Sequence, residues 1–277
     1  MAVILITGCS SGFGLLTALH FARKGDTVYA SMRDTSKAGD LEKACQAENL
    51  TIEVVQLDVT DEESVTRAVK HIMDGAGRID VLVNNAGLAH LGPMEETDDD
   101  ELKEIFETNF FGALRVTRAV APHMREQRSG TIVNVSSMAA VVTVPFRGVY
   151  SASKRALEAA SESLRYELHP FGVRVLIIEP GGFETKIEEN GRVPRRFTEG
   201  SPFVDLEKRF AEALAQVPAA SARGDARRVA ELIYNVVQEE RPNIRYPIGQ
   251  DAELIAGARR QMDDEQFEQS ILQSLGV

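Results

Sequence analysis

A doubly wound α/β fold around one parallel sheet is what this chain of 277 residues predicts, and three observations carry that expectation. Short apolar runs recur along the sequence, too continuous for a sheet with one wet face and too short for buried helices. Segments of helical length separate them, as right-handed crossovers between parallel strands require. The first run leads directly into a glycine-rich turn and then a helix, an order that aims free backbone N–H groups at a bound phosphate.

Each element has its own reason. Residues 2–6 (AVILI) read as a strand buried on both faces, followed by the turn and a helix that Gly25 closes. Residues 26–31 (DTVYAS) are a second strand, with a polar helix ending near Asn49, and residues 51–57 (TIEVVQL) a third. A helix over 62–74 leads to a fourth strand at 79–83. The acidic run TDDDE then opens a long helix reaching about residue 127, with Asp98 and Glu101 spaced as an N-terminal capping box. A fifth strand (131–135), a helix beginning near Tyr150 and a sixth strand (173–178) follow. After Pro180 the prolines, glycines and arginines of residues 181–221 leave the sheet. A helix over 225–239, a short strand at 244–248 and an amphipathic tail over 250–277 complete one domain spanning 1–277.

Composition narrows the function classes. The net charge of -11, from 31 Lys+Arg against 42 Asp+Glu, argues against nucleic acid or an anionic membrane as the main partner. Two cysteines offer no disulfide framework and suit a cytoplasmic location. No apolar run approaches the ~20 residues of a membrane span. The apolar start has no basic leader, so no signal peptide is expected. Five scattered histidines show no metal-ligand spacing, so no metal is expected.

The chemistry-bearing motifs stand in a fixed order. T-G-x-x-x-G-x-G occupies residues 7–14, N-N-A-G residues 84–87, and Tyr150-x-x-x-Lys154 opens a helix, its two side chains one turn apart on one face. Together they resemble the short-chain dehydrogenase/reductase family over residues 2–185. The strings GCSSGFG, ASMRD, NAGLAHLGPME and LHPFGVRV are most similar to its 17β-hydroxysteroid and retinol dehydrogenase branch. That resemblance implies a Rossmann-type sheet of about seven strands in the order 3-2-1-4-5-6-7. It also implies an enzyme that moves hydride between a nicotinamide cofactor and a small-molecule carbonyl or alcohol.

Site residues follow from the resemblance position by position. Gly8, Ser10, Ser11, Gly12, Phe13 and Gly14 would form the pyrophosphate turn, and Asp58 and Val59 would face the adenine. Asn85, Ala86, Gly87, Pro180, Gly181, Phe183 and Thr185 would border the nicotinamide half. Tyr150 would be the general acid/base. Its hydroxyl, ordinarily near pKa ~10, would have to fall by about 3 units to serve at neutral pH. Lys154 one turn away supplies a field of the required sign and, by the resemblance, bonds the nicotinamide ribose. Ser137 would hold the substrate oxygen, its spacing to Tyr150 favouring it over Ser136, and Asn109 would position a water reaching Lys154. His90, Ser137, Phe146 and Phe183 are candidate substrate-pocket walls.

At the end of the second strand, Met32 stands where an NAD-specific site carries an acid and Arg33 follows, so NADP(H) is expected. Asp34 keeps NAD(H) as the alternative. Residues 183–220 are expected to form a substrate lid, with Arg192, Arg195 and Arg196 read as solvated surface. The resemblance further implies a homodimer or homotetramer, pairing helices near 99–127 and 149–168. Two other functions compete: a nucleotide sensor without catalysis, against which the full proton-transfer set argues, and a sugar-nucleotide epimerase or dehydratase, for which the region after Pro180 is short.

Overall fold

Strands of a doubly wound sheet must bury both faces, and the alternation within the first run achieves this. In the computed structural model, which describes residues 1–187, 189–216 and 223–275, β1 (Val3–Ile6) is buried along its whole length. Ile4 and Ile6 pack into one apolar layer with Leu19, Phe21, Val229 and Ile233. Val3 and Leu5 pack into the other with Val65, Ile72, Val120 and Met124. Each such side chain contributes about 1.5–3 kcal/mol on burial. The central strand therefore anchors both halves of the molecule.

The remaining strands are β2 (Thr27–Met32), β3 (Glu53–Gln56), β4 (Val81–Asn84), β5 (Gly130–Val135), β6 (Val173–Pro180) and β7 (Arg245–Ile248), all parallel, in the order β3-β2-β1-β4-β5-β6-β7. This is the expected order. It reverses direction beside β1, where Leu5 pairs with Tyr29 on one side and Leu82 on the other. A crevice therefore opens at the carboxyl ends of β1 and β4, the place where this sheet type binds ligands.

The crossover helices are α1 (Gly12–Arg23), α2 (Gly39–Glu48), α3 (Glu62–Ala76), α4 (Asp99–Phe106), α5 (Ala113–Gln127), the short α6 (Met138–Val141), α7 (Gly148–Leu168), α8 (Val204–Ala215), α9 (Arg227–Gln238), α10 (Gln250–Gln261) and α11 (Asp264–Leu275). Asp98 and Glu101 do form a capping box, the Glu101 carboxylate accepting from the Asp98 N–H at 2.9 Å. The long helix expected after it is interrupted: α4 passes through a π-helical segment, Glu107–Gly112, before α5. Apolar periodicity did not reveal this widened turn. Such segments favour functional sites, and this one carries Asn109.

The excursion after β6 is held at both ends. The strand-like bridge Phe183–Gly224 closes its base, and the bridge His90–Arg192 ties its first half to the loop after β4. Toward the end of the described residues the chain is helical, α11 lying against α8 and α10 against α6 and β7. Residues 188, 217–222, 276 and 277, which include parts of the expected lid and tail, lie outside the described residues. No helix among the described residues is long and apolar enough to cross a membrane.

Candidate active site

The turn after β1 requires glycine for two separate reasons. Gly8 and Gly12 adopt φ of 74° and 58°, the left-handed region that glycine enters freely. Gly14 is needed for close approach, because a Cβ there would lie 2.4 Å from the Gly8 carbonyl oxygen and 2.5 Å from Asn85 Nδ2. Asn85 locks this turn from the neighbouring strand end. Its side-chain amide donates to the Thr7 and Gly8 carbonyls at 2.8 and 3.1 Å, while its backbone N–H donates to Thr7 Oγ1 at 3.0 Å. Asn84 points elsewhere, donating to Thr117 and Asn134 beneath the sheet end.

This turn opens a cleft of about 930 Å³ that crosses the carboxyl edge of the sheet. One end is lined by Met32, Arg33, Ser36, Lys37, Asp58 and Val59; Ser10, Ser11, Gly12 and Phe13 form its floor. The other end holds Ala86, Gly87, Ser137, Tyr150, Lys154, Pro180, Gly181, Phe183 and Thr185. An elongated dinucleotide fits these residues. N–H groups at a helix start face the middle, a guanidinium stands at one end, and a hydroxyl pair with an ammonium stands at the other.

Asp34 lies off the cleft wall, because its carboxylate caps the next turn, accepting from Ser36 N–H at 3.1 Å and Ser36 Oγ at 2.6 Å. Arg33 and Lys37 thus project into that end, and Lys37 is a residue the motifs had not singled out. Asp58 accepts from Thr60 N–H and Oγ1, whereas Asp61 caps α3 by accepting from Glu63 N–H.

At the other end, α7 delivers Tyr150 and Lys154 together, as their spacing predicts. Tyr150 is 9% exposed and Lys154 3%. The ammonium donates to the Val135 carbonyl at 2.8 Å and lies 5.9 Å from the Tyr150 ring centroid. Burial disfavours its charge and pulls its pKa from 10.5 to about 8, against an opposing pull from the Glu158 carboxylate. The two serines after β5 both border the cleft but make different bonds. Ser136 is buried and donates to Glu158 Oε1 at 2.6 Å, while Ser137 caps α6 and accepts from Ala139 N–H.

Asn109 is buried and fully engaged. Its amide donates to the Leu88 carbonyl and Ser153 Oγ, and its oxygen accepts from Leu88 N–H. Its side chain therefore pins the loop after β4 to α7, and both its oxygen and the Lys154 ammonium border Gly87. His90 and Phe146, expected as pocket walls, stand off the cleft lining among the described residues. His90 is 0% exposed beneath the Arg192 bridge, with Nε2 3.3 Å from Thr97 Oγ1, and burial lowers its pKa. Phe146 sits at φ 63°, its ring 6.1 Å from that of Phe210 in α8, so it meets the excursion rather than the cleft. Phe183 is on the wall, edge-on to Phe13 with centroids 5.6 Å apart.

Two features went unseen in the sequence. Asp251, in α10, accepts from Gly182 N–H at 2.6 Å and stands where a Cβ on Gly181 would lie 1.9 Å from Oδ1. The tail therefore fixes the Pro180–Gly181–Gly182 turn. The arginines of the excursion are also not free surface. Arg192 pairs with Glu104 at 2.7 Å and Arg195 with Asp100 at 2.8 Å, Arg195 N–H donates to Glu101 Oε1 at 2.9 Å, and Arg196 lies 3.8 Å from Asp98. The acidic run that caps α4 is also the dock for these arginines. A charge count along the chain cannot reveal that pairing across some 90 positions.

A family model described as short chain dehydrogenase matches residues 2–195. The chain is 35% identical to a 3-ketodihydrosphingosine reductase of Bacteroides thetaiotaomicron over 89% of this chain and 87% of that one. It is 38% identical to retinol dehydrogenase 8 of Homo sapiens, over 87% and 79%. It is 36% identical to human 17-beta-hydroxysteroid dehydrogenase type 1, over 88% and 76%. Among solved structures, a short-chain dehydrogenase from Streptomyces avermitilis superposes with a TM-score of 0.81 at 37% identity, covering 94% of this chain and 93% of that one.

Proposed function

The chain belongs to the short-chain dehydrogenase family of oxidoreductases, and from that premise we propose that it interconverts a secondary alcohol and a ketone with NADP(H), using Tyr150 as general acid/base. The carrying observation is the convergence of Tyr150, Lys154 and Ser137 on one end of the cleft whose other end holds Arg33 and Lys37. The nicotinamide cofactor supplies or takes up the hydride when bound. Ser137 Oγ orients the carbonyl oxygen, and the Tyr150 hydroxyl gives it a proton in reduction or removes one in oxidation. Lys154 holds the ribose and, while charged, favours the tyrosinate.

Arg33 and Lys37 favour the 2′-phosphate of NADP(H). Asp34, the residue that would favour NAD(H), is committed to capping its own turn. For the substrate we infer an apolar framework, in keeping with the ketodihydrosphingosine, retinol and 17-beta-hydroxysteroid that the relatives' names print. The part of the excursion described over 189–216 would serve as its lid, with Phe146 meeting Phe210 at the contact of lid and body. The enzyme works as a homodimer or homotetramer across α4–α5 and α7, where Phe111 and Tyr166 are exposed.

The test is an NADPH-oxidation screen over steroid ketones, long-chain keto lipids and retinal, with NADH in parallel. Turnover of one apolar carbonyl with preference for NADPH is the expected result. Nucleotide binding without turnover of any carbonyl would favour a sensor and overturn the enzymatic reading.

A further inference from the structure

Lys154 occupies an awkward position. Its ammonium is buried and donates to a neutral backbone carbonyl, that of Val135. Water has been removed, so retaining the charge requires compensation from a nearby anion. Glu158 lies one helical turn further along the same face of α7 and is 6% exposed. That carboxylate is itself buried and needs its own support. Ser136 Oγ donates to one oxygen at 2.6 Å, and Arg245 Nε from β7 approaches the other at 3.3 Å. Arg245 also pairs with Glu162 and lies 3.1 Å from Glu179 of β6. One guanidinium therefore bridges three carboxylates, two of them buried, directly behind the Tyr150–Lys154 pair.

Replacing such a buried cluster with well-packed apolar residues is often neutral or favourable to stability, so tying α7 to β6 and β7 is a weak reason for it. Its placement suggests another reason. Resting on the proposed hydride-transfer reading, we propose that Glu158, held by Ser136 and Arg245, is a positioning residue that keeps Lys154 charged and thereby sets the alkaline limit of turnover. The groups facing Lys154 are Tyr150 and Glu158 on α7 and the Val135 carbonyl on β5; Glu162, Glu179 and Arg245 form the shell behind Glu158. The direction of the shifts agrees. Burial lowers the Lys154 pKa while Glu158 opposes that fall, and burial raises Glu158 while Ser136 and Arg245 oppose that rise. Ser136 thus differs from its neighbour in kind: Ser137 faces the substrate, and Ser136 faces the anion.

The test reads Lys154 directly, by ¹³C NMR titration of protein labelled at lysine Cε without cofactor or substrate, the resonance being identified by its loss in Lys154→Met. In Glu158→Gln the Lys154 midpoint should fall by about 0.5–1 pH unit, and in Glu158→Asp, which keeps the charge, it should stay near the wild-type value. The alkaline limb of the pH–rate profile should move with it. An unchanged midpoint in folded Glu158→Gln overturns the proposal. Should that variant fail to fold, Ser136→Ala serves, with a smaller fall expected and an unchanged midpoint again decisive. Because the titration needs no turnover, a protein inactive toward every carbonyl would sink the functional reading while leaving the titration readable. A normal enzyme with an unmoved Lys154 would sink this inference alone.

Discussion

The two ends of the cleft are built from different materials. The nucleotide end is made of backbone: glycines at φ of 74° and 58°, a side-chain amide clamping two carbonyls, and strands buried on both faces. The substrate end is closed by side chains. Arg192 and Arg195 pair with carboxylates on α4, all four partly exposed, and Phe146 meets Phe210. Backbone geometry backed by core packing leaves one conformation available. Exposed ion pairs are individually worth little and are screened by salt. For the lid proposed above, the expectation is therefore a rigid turn under the cofactor and a substrate side held by contacts that release readily.

Substitutions at the two ends should separate this contrast. The largest effect belongs to the proposed acid/base: Tyr150→Phe is expected to lower kcat by about 10²–10⁴-fold while leaving the Kd for NADPH unchanged. Turnover above a tenth of wild type would remove Tyr150 from the acid/base role. At the rigid end, Arg33→Ala should weaken NADPH binding roughly 10- to 100-fold, the scale of a lost charged hydrogen bond, and hardly alter NADH binding. Equal loss of both, measured by nucleotide fluorescence titration, would make Arg33 structural.

A pH experiment sharpens the comparison further. Lys154 is charged below its folded pKa of about 8 and neutral above it. Cofactor affinity and the alkaline limb of turnover should therefore decline as pH rises through about 8, and Lys154→Met should flatten that decline in affinity. A flat wild-type profile from pH 7 to 9 would contradict the buried ammonium. The smallest effect is expected at the soft end. Arg195→Ser should change KM by about two- to fivefold with kcat nearly constant, and raising salt should shift the wild type in the same direction and the variant less, since Arg192 and Arg196 remain paired there. Hydrogen exchange gives the complementary readout: residues 189–216 should gain protection on binding cofactor and substrate, whereas the glycine turn should be protected throughout. Equal protection of 189–216 in all states would make the segment a fixed wall.

How far the sequence reached follows the same division. The sheet order, Asn85 and Ser137 came only through the resemblance that the motifs carry. The strands, the glycine turn and the Tyr150–Lys154 spacing were legible because each is local: a buried strand, a forced φ, a one-turn spacing. The capping box at Asp98 was legible for that reason, but its second task as a dock was not. Asn109 was found through its motif, while the π turn that carries it left no mark in the apolar periodicity. His90 and Phe146 were expected on the cleft wall because they follow or precede motif residues. Proximity along the chain says nothing about which side of a loop a side chain takes.

The sequence by itself determined the parallel strands, the glycine turn and the pairing of Tyr150 with Lys154 on one helical face, because these rest on backbone conformation and on side chains one helical turn apart. Only the tertiary structure decided that Asp251 fixes the turn after β6 from near the chain's end. The same holds for Asp34, which serves its own turn, and for the three excursion arginines on the acidic start of α4. It also placed Ser136, Glu158 and Arg245 together behind Lys154. These are pairings of charged or polar groups brought in from separate elements. A carboxylate carries no local signal of which cation or N–H it will meet; that is settled when the sheet closes and brings β5, β7 and α7 within hydrogen-bonding distance.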